Sequence, residues 1–153
     1  LSPKENREIP PLRYDWAYRL KRERPELTVA INGGITTTAQ VHEHLQHSDG
    51  VMIGRAAYHE PYVLHEMQAS LFGGEPAPRA DLLRAWRPYV EAQLAKGVAL
   101  KHLTRHVLGL FHAQQGGRAF RQILSEGAHK PGADWSLVEQ ALAVTVRELR
   151  PAA

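Results

Sequence analysis

Two short apolar runs that each stop on glycine constrain this chain most: Leu27–Ile35 (LTVAINGGI) and Val51–Arg55 (VMIGR), with a helix-like stretch between them. Leu27–Ile31 is β-rich and apolar on both faces, the pattern of a strand buried in a parallel sheet, and Gly50–Ile53 reads as a second such strand. Between them, Thr36, Thr37 and Thr38 offer N-caps to a helix running to about Leu45. Strand ends of this kind present backbone N–H groups at the carboxyl edge, where parallel barrels and sheets hold phosphates. Asn32, Gly33 and Gly34, with Gly54 and Arg55, are therefore candidate phosphate-binding residues. Glycine lets a phosphate approach the backbone closely, and Arg55 neutralises its charge. A single Gly-Gly is equally an ordinary tight turn. Its recurrence in two successive units argues for the phosphate.

Around this pair the chain has a β-loop-α-β-loop-α rhythm. Leu1–Leu12 is a polar loop, and Tyr14–Arg24 is a helix with Tyr14, Trp16, Ala17 and Leu20 on one side, ended by Pro25. A further helix follows Gly54-Arg55, is interrupted near Pro61 and resumes through Leu71. The rhythm fits the C-terminal βα units of a TIM (β/α)₈ barrel, with strands near 27–32 and 50–53. Two strands cannot bury their own faces, and the chain opens on Leu1 within a loop, so it is expected to be a piece of a longer protein. Gly73–Pro78 breaks the composition. The expected organisation is a barrel portion over 1–72, a linker over 73–79 and a small helical bundle domain over 80–153. Its apolar stripes are Leu82, Leu83, Trp86, Val90 and Leu94, with Pro88 as a kink, and then Leu100, Leu103, Val107, Leu108 and Phe111. A short helix over Arg118–Ser125 follows. The last, Ser136–Leu149, is opened by a capping-box spacing of Ser136 with Glu139. The fold class is α/β plus all-α.

The formal charge is +3, with 14 arginines against 5 lysines, a bias toward bidentate contact with anionic partners or toward solvated helices. No cysteine is present, which excludes a disulfide, a thiolate metal site and a cysteine nucleophile in these residues. No apolar run has membrane-spanning length and no signal-peptide pattern appears, so a cytoplasmic protein without a membrane partner is expected. His102 and His106 lie i, i+4 beside Lys101 and Arg105 but lack a third ligand, so the face reads as solvated or anion-facing, with no metal. Arg118 and Arg121 follow Gly116-Gly117 three residues apart, a spacing suited to a nucleic-acid backbone or to two surface arginines. Lys4 and Arg7 sit in the amino-terminal charged loop, where active-site loops of a barrel collect.

The segments LSPKENREIPPLRYDW, INGGI, HLQHSDGVMIGRAAYHEPY and RAFRQILSEGAHKPGADW, in this order, closely resemble the A-type tRNA-dihydrouridine synthase family, which acts at positions 20/20a. The resemblance implies an FMN-containing TIM barrel followed by a helical domain. It implies reduction of FMN by NADPH, then hydride transfer to the C5–C6 bond of a D-loop uridine in tRNA. By match of motif, Asn32, Gly33, Gly34, Gly54 and Arg55 hold the FMN phosphate. Lys4 and Arg7 fall on tRNA-contacting loop positions, and Arg118 and Arg121 on tRNA-contacting positions of the helical domain. The family's general-acid cysteine, and the lysine and histidine that touch the flavin ring, belong upstream of Leu1. These residues alone are thus expected to be inactive and to bind FMN poorly. Two alternatives are another FMN-dependent TIM-barrel oxidoreductase acting on a small molecule and a non-catalytic RNA-binding helical module. The first leaves the SPKENRE loop and the basic helical tail unexplained.

Overall fold

The computed structural model describes Ser2, Glu5 and residues 11–147, with 146 and 147 described as backbone only. The chain divides into two compact units, 1–56 and 57–153. The described residues are mostly helical, with one small sheet.

The first unit contains α1 (Tyr14–Glu23), β1 (Ala30–Asn32), α2 (Thr38–Leu45) and β2 (Gly50–Met52). The strands pair in parallel, Ala30 with Gly50, Ile31 with Val51 and Asn32 with Met52. A parallel pair needs a crossover, and α2 supplies it. Thr37 caps that helix: Gln40 N donates to Thr37 Oγ1 at 3.2 Å, while Gln40 Oε1 accepts from Thr37 N at 3.1 Å. Two-sided burial of the strands is not observed. Ile31 is buried, but Ala30, Asn32 and Met52 on the other face are exposed, because a two-stranded sheet is covered here on one side only.

The side of α1 that engages the strands also differs from the expected apolar stripe. Trp16 is 68% exposed and Leu20 45%; Arg13 lies over the Trp16 ring at 5.3 Å. The working line is Tyr14, Tyr18 and Lys21. Tyr14 Oη donates to Gly33 O at 2.5 Å, and Tyr18 Oη pairs with Nδ1 of buried His44 at 2.5 Å. Lys21 Nζ donates to the carbonyls of Pro25 and Leu27, each at 2.9 Å, and pairs with Asp49 at 2.9 Å. Apolar periodicity does not weigh such polar tips, which reach backbone acceptors at the strand ends.

The chain enters the second unit through α3 (Arg55–His59). There follow α4 (Tyr62–Phe72), α5 (Arg79–Ala85), α6 (Arg87–Ala95), α7 (Leu100–Thr104), α8 (Gly117–Gly127) and α9 (Trp135–Arg147). The compositional break at 73–79 does not coincide with the division between units. Ala77 is tied back to α4, donating to His65 Nε2 at 2.7 Å and accepting from Tyr62 Oη at 3.0 Å. Arg79 stacks on Tyr62 at 3.7 Å and donates to Leu110 O at 3.0 Å. These bonds bring α4 into the second unit.

Three local expectations are corrected. The stripe through Leu82–Leu94 is two helices, not one kinked helix, because Pro88 in the first turn of α6 has no amide to continue the ladder. The helix expected over Leu100–Phe111 stops at Thr104, and turns follow. Gly109 in that stretch lies so close to the His59 carbonyl that a Cβ would meet its oxygen at 1.8 Å. The cap of α9 is Asp134 rather than Ser136: Asp134 Oδ1 accepts from Ser136 N at 2.9 Å and Ser136 Oγ at 2.6 Å. The Ser136 hydroxyl, then its amide, hold the Asp134 carboxyl below the ordinary carboxylate range. The core gathers Leu83, Val90, Leu100, Phe111, Phe120, Leu124, Val138 and Leu142, with the Phe111 and Phe120 rings 4.7 Å apart. Each such fully buried side chain stabilises the fold by about 1.5–3 kcal/mol.

Asp49 ties strand entry to α1. Its carboxylate accepts Val29 N at 2.8 Å and the Lys21 ammonium at 2.9 Å, and first the amide, then the ammonium, hold its pKa down. A depressed carboxyl contributes stability above its unfolded pKa and loses it as pH falls through the folded value. Replacing Asp49→Asn should therefore lower the melting temperature at neutral pH and flatten its decline on acidification, as read by circular dichroism melts across the acid range.

Candidate functional site

The register of β1 against β2 decides the first site. With Asn32 beside Met52, the residues that leave the two strands, Gly33-Gly34 and Gly54-Arg55, emerge at the same carboxyl edge. Gly33 has φ +127° and Gly34 φ +64°, a region that side chains other than glycine rarely adopt. A Cβ at either position would come within 2.9 Å of Leu12, and one at Gly34 within 3.2 Å of Tyr14 Oη. The turn is thus held from one side by Leu12 and by the Tyr14 bond to the Gly33 carbonyl. A carbonyl fixed as an acceptor fixes the orientation of the peptide whose N–H belongs to Gly34.

The amides at this edge are unequally available. Thr36 N and Thr37 N are both taken by Gln40 Oε1, so α2 satisfies part of its own amino terminus. Outside the β1–β2 ladder, no protein acceptor takes the N–H of Gly34 or Gly54 among the described residues. The loop glycines, more than the helix end, are the donors on offer. Asn32 and Arg55 are exposed, and the Arg55 guanidinium has no carboxylate partner among the described residues. All five residues read from the sequence as a phosphate site are gathered here. Leu12 and Tyr14 were missed as its supports. Their only sequence signal was the Tyr14–Tyr18 spacing of four on one helix, which places both rings on one face.

The second site is built by α8. Gly117, Phe120, Leu124 and Gly127 form its buried face. At Gly117 a Cβ would meet the Phe111 carbonyl oxygen at 2.0 Å, and at Gly127 one would meet Leu137 at 2.5 Å. With this face sealed at 100° per residue, Arg118 and Arg121 project outward within roughly 60° of each other. Both are exposed and neither has an ion-pair partner among the described residues. Lys4 and Arg7 lie outside the described residues. Among the described residues no three His, Asp or Glu side chains converge as a metal site, and no helix is long and apolar enough to cross a membrane.

Comparison with known proteins bears on both sites. Residues 2–147 match the family model described as dihydrouridine synthase. The chain belongs to the dihydrouridine synthase family. Its curated relatives named tRNA-dihydrouridine(20/20a) synthase include one from Xanthomonas campestris pv. campestris, 70% identical over 141 residues, covering 92% of this chain and 42% of the relative. One from Xylella fastidiosa strain Temecula1 is 63% identical over 144 residues, covering 94% of this chain and 43% of the relative. A third, from Vibrio cholerae, is 52% identical over 145 residues, covering 94% and 44%. The chain thus spans less than half the length of these relatives. Dihydrouridine synthases have a TIM-barrel fold, and the β1–α2–β2 crossover is the kind of unit from which such a barrel is built.

The glycine geometry gives a direct test. Gly34→Ala should destabilise the chain by about 1–2 kcal/mol, since it forces a side chain into the left-handed region. Gly54→Ala, where a Cβ would meet only Met52 at 3.8 Å, should stay within about 1 kcal/mol of the parent. Urea unfolding of both variants checks the contrast.

Proposed function

We propose that this chain supplies the phosphate cradle and an RNA-facing helix of a flavin-dependent tRNA-dihydrouridine synthase that reduces D-loop uridines at positions 20/20a. The observation that carries the reading is the meeting of two glycine strand ends at one carboxyl edge, within a chain 70% identical to an enzyme of that name.

The cradle fits the 5′-phosphate of FMN. Gly33 and Gly34 hold a turn that other residues rarely adopt, backed by Leu12 and Tyr14, and the side-chain space at Gly54 meets only Met52. Among the described residues the Gly34 and Gly54 amides lack protein acceptors outside the ladder, and Arg55, without a carboxylate partner there, offers a bidentate countercharge. When bound, FMN supplies the hydride for the C5–C6 double bond of uridine, with NADPH as the reductant. Gly33, Gly34, Gly54 and Arg55 fix the flavin's phosphate end, with Asn32 at the rim, while Tyr14 and Leu12 keep the turn open to receive it. No cysteine occurs in these 153 residues, so the proton donor to the second carbon comes from outside them.

On this reading residues 1–72 belong to the barrel, 73–79 join it to the helical part, and 80–153 form a tRNA-binding helical bundle. Arg118 and Arg121 grip the tRNA backbone, and Lys4 and Arg7 contact it from the amino-terminal loop. Together these four set which uridine arrives, in a cytoplasmic protein that needs neither metal nor membrane. A base that must leave its stack is extruded at a cost of a few kcal/mol, which such backbone contacts help to offset.

Changing Arg118→Ala or Arg121→Ala should each weaken tRNA binding by about 1–3 kcal/mol. Fluorescence anisotropy with labelled tRNA measures this, with FMN binding unchanged as the control. The purified chain alone should reduce no uridine, and measurable dihydrouridine formation by it would overturn the division of labour.

A further inference from the structure

Three exposed cations of the second unit, Lys101, Arg105 and Arg121, and two exposed histidines lie along two neighbouring hollows that share Arg105 and Leu108. The first, about 360 Å³, has Lys101, His102, Arg105 and His129 on its rim and a floor that includes Leu108, Leu124 and Ala128. The second, about 490 Å³, continues past Arg105 to Arg121. No carboxylate lines the first hollow. The one that lines the second, Glu60, is occupied by His112 at 2.5 Å.

Two exposed helical arginines elsewhere are, by contrast, paired within their own helices. Arg19 and Arg87 each face a glutamate one turn on, at 2.6 and 2.7 Å. Here Arg105 donates only its Nε, to His106 Nε2 at 3.1 Å, and its remaining N–H groups find no acceptor among the described residues. Lys101, His102, His129 and Arg121 likewise have no partner among the described residues. From Arg121 to the end of α8 at Gly127 the helix advances about 9 Å at 1.5 Å per residue, the length of roughly three nucleotides of one strand.

We propose that the groove between α7 and α8, from Lys101 and His129 past Arg105 to Arg121, is a track for a continuous stretch of RNA backbone. Its cationic rim takes phosphates, and the partly exposed Leu108 on its floor takes a sugar or base face. An elongated groove whose one lining carboxylate, Glu60, is taken by His112 suits a polymer better than a lone anion, whose recognition calls for convergent donors. The proposal rests on the reading of Arg121 as an RNA contact and extends it by Lys101, Arg105 and His129.

The test is tRNA binding by the whole chain, measured by anisotropy at several salt concentrations, for the triple variant Lys101→Ala, Arg105→Ala, His129→Ala. The track predicts at least a tenfold loss of affinity. It also predicts a salt slope shallower by about 2, since Lys101 and Arg105 each neutralise one phosphate of the parent complex. A control variant, Arg19→Ala with Lys96→Ala, should leave both unchanged, and circular dichroism should report an unaltered fold. If Arg121→Ala weakens binding but the triple variant does not, the track is overturned while the RNA reading of Arg121 stands. If Arg121→Ala has no effect, the underlying reading itself fails. Polyglutamate displacing tRNA from the parent chain as well as unlabelled RNA does would show a groove for acidic peptide instead, and would also overturn the proposal.

Discussion

The parallel pairing of Asn32 with Met52 is the constraint on which the first unit depends. In a parallel ladder both strands release their chains at the same edge, so a single register brings Gly33, Gly34, Gly54 and Arg55 together. Slipping it by one residue would turn Ile31 out of its buried position and move one glycine end away from the other. Several polar ties hold the register. Asp49 returns two bonds to Val29, the Lys21 ammonium ties that carboxylate to α1, and Tyr14 fixes the Gly33 carbonyl where the turn begins. The strands are three residues each, too short to hold themselves by ladder bonds alone.

In the second unit the corresponding constraint is close backbone approach. Gly117 lets α8 sit against the Phe111 carbonyl, and Gly127 admits Leu137 of α9. With these contacts made, the helix cannot rotate without driving a carbonyl or a leucine into its backbone. The outward direction of Arg118 and Arg121 follows from which residues must point inward. The same logic reaches Arg105, since Gly109 seats the following turn against the His59 carbonyl.

Much of this was legible in the sequence. The strands, the Thr37 cap and the split at Pro61 follow from apolar runs, a hydroxyl before a helix and a proline, which act locally and leave local marks. What was not legible depended on distant partners. Trp16 and Leu20 look like a buried stripe by spacing, yet Tyr14, Tyr18 and Lys21 win that face because their polar tips find a carbonyl, an imidazole and a carboxylate more than ten residues away, save for the nearby carbonyls of Pro25 and Leu27. The serine–glutamate spacing at Ser136 suggested a cap, but Asp134 stands two residues earlier and bonds both the amide and the hydroxyl of Ser136. The early end of α7 at Thr104 hinges on the tight approach of Gly109 to His59, fifty residues apart in sequence, which no periodicity records.

The most direct test of the account is an amide NMR titration of the chain with FMN and, separately, with riboflavin, which lacks the phosphate. The account predicts that FMN, even if it binds weakly, shifts the amide signals of Gly33, Gly34 and Gly54, and that riboflavin at the same concentration leaves them in place. Equal shifts with both ligands, or none with FMN, would contradict a phosphate cradle at these strand ends.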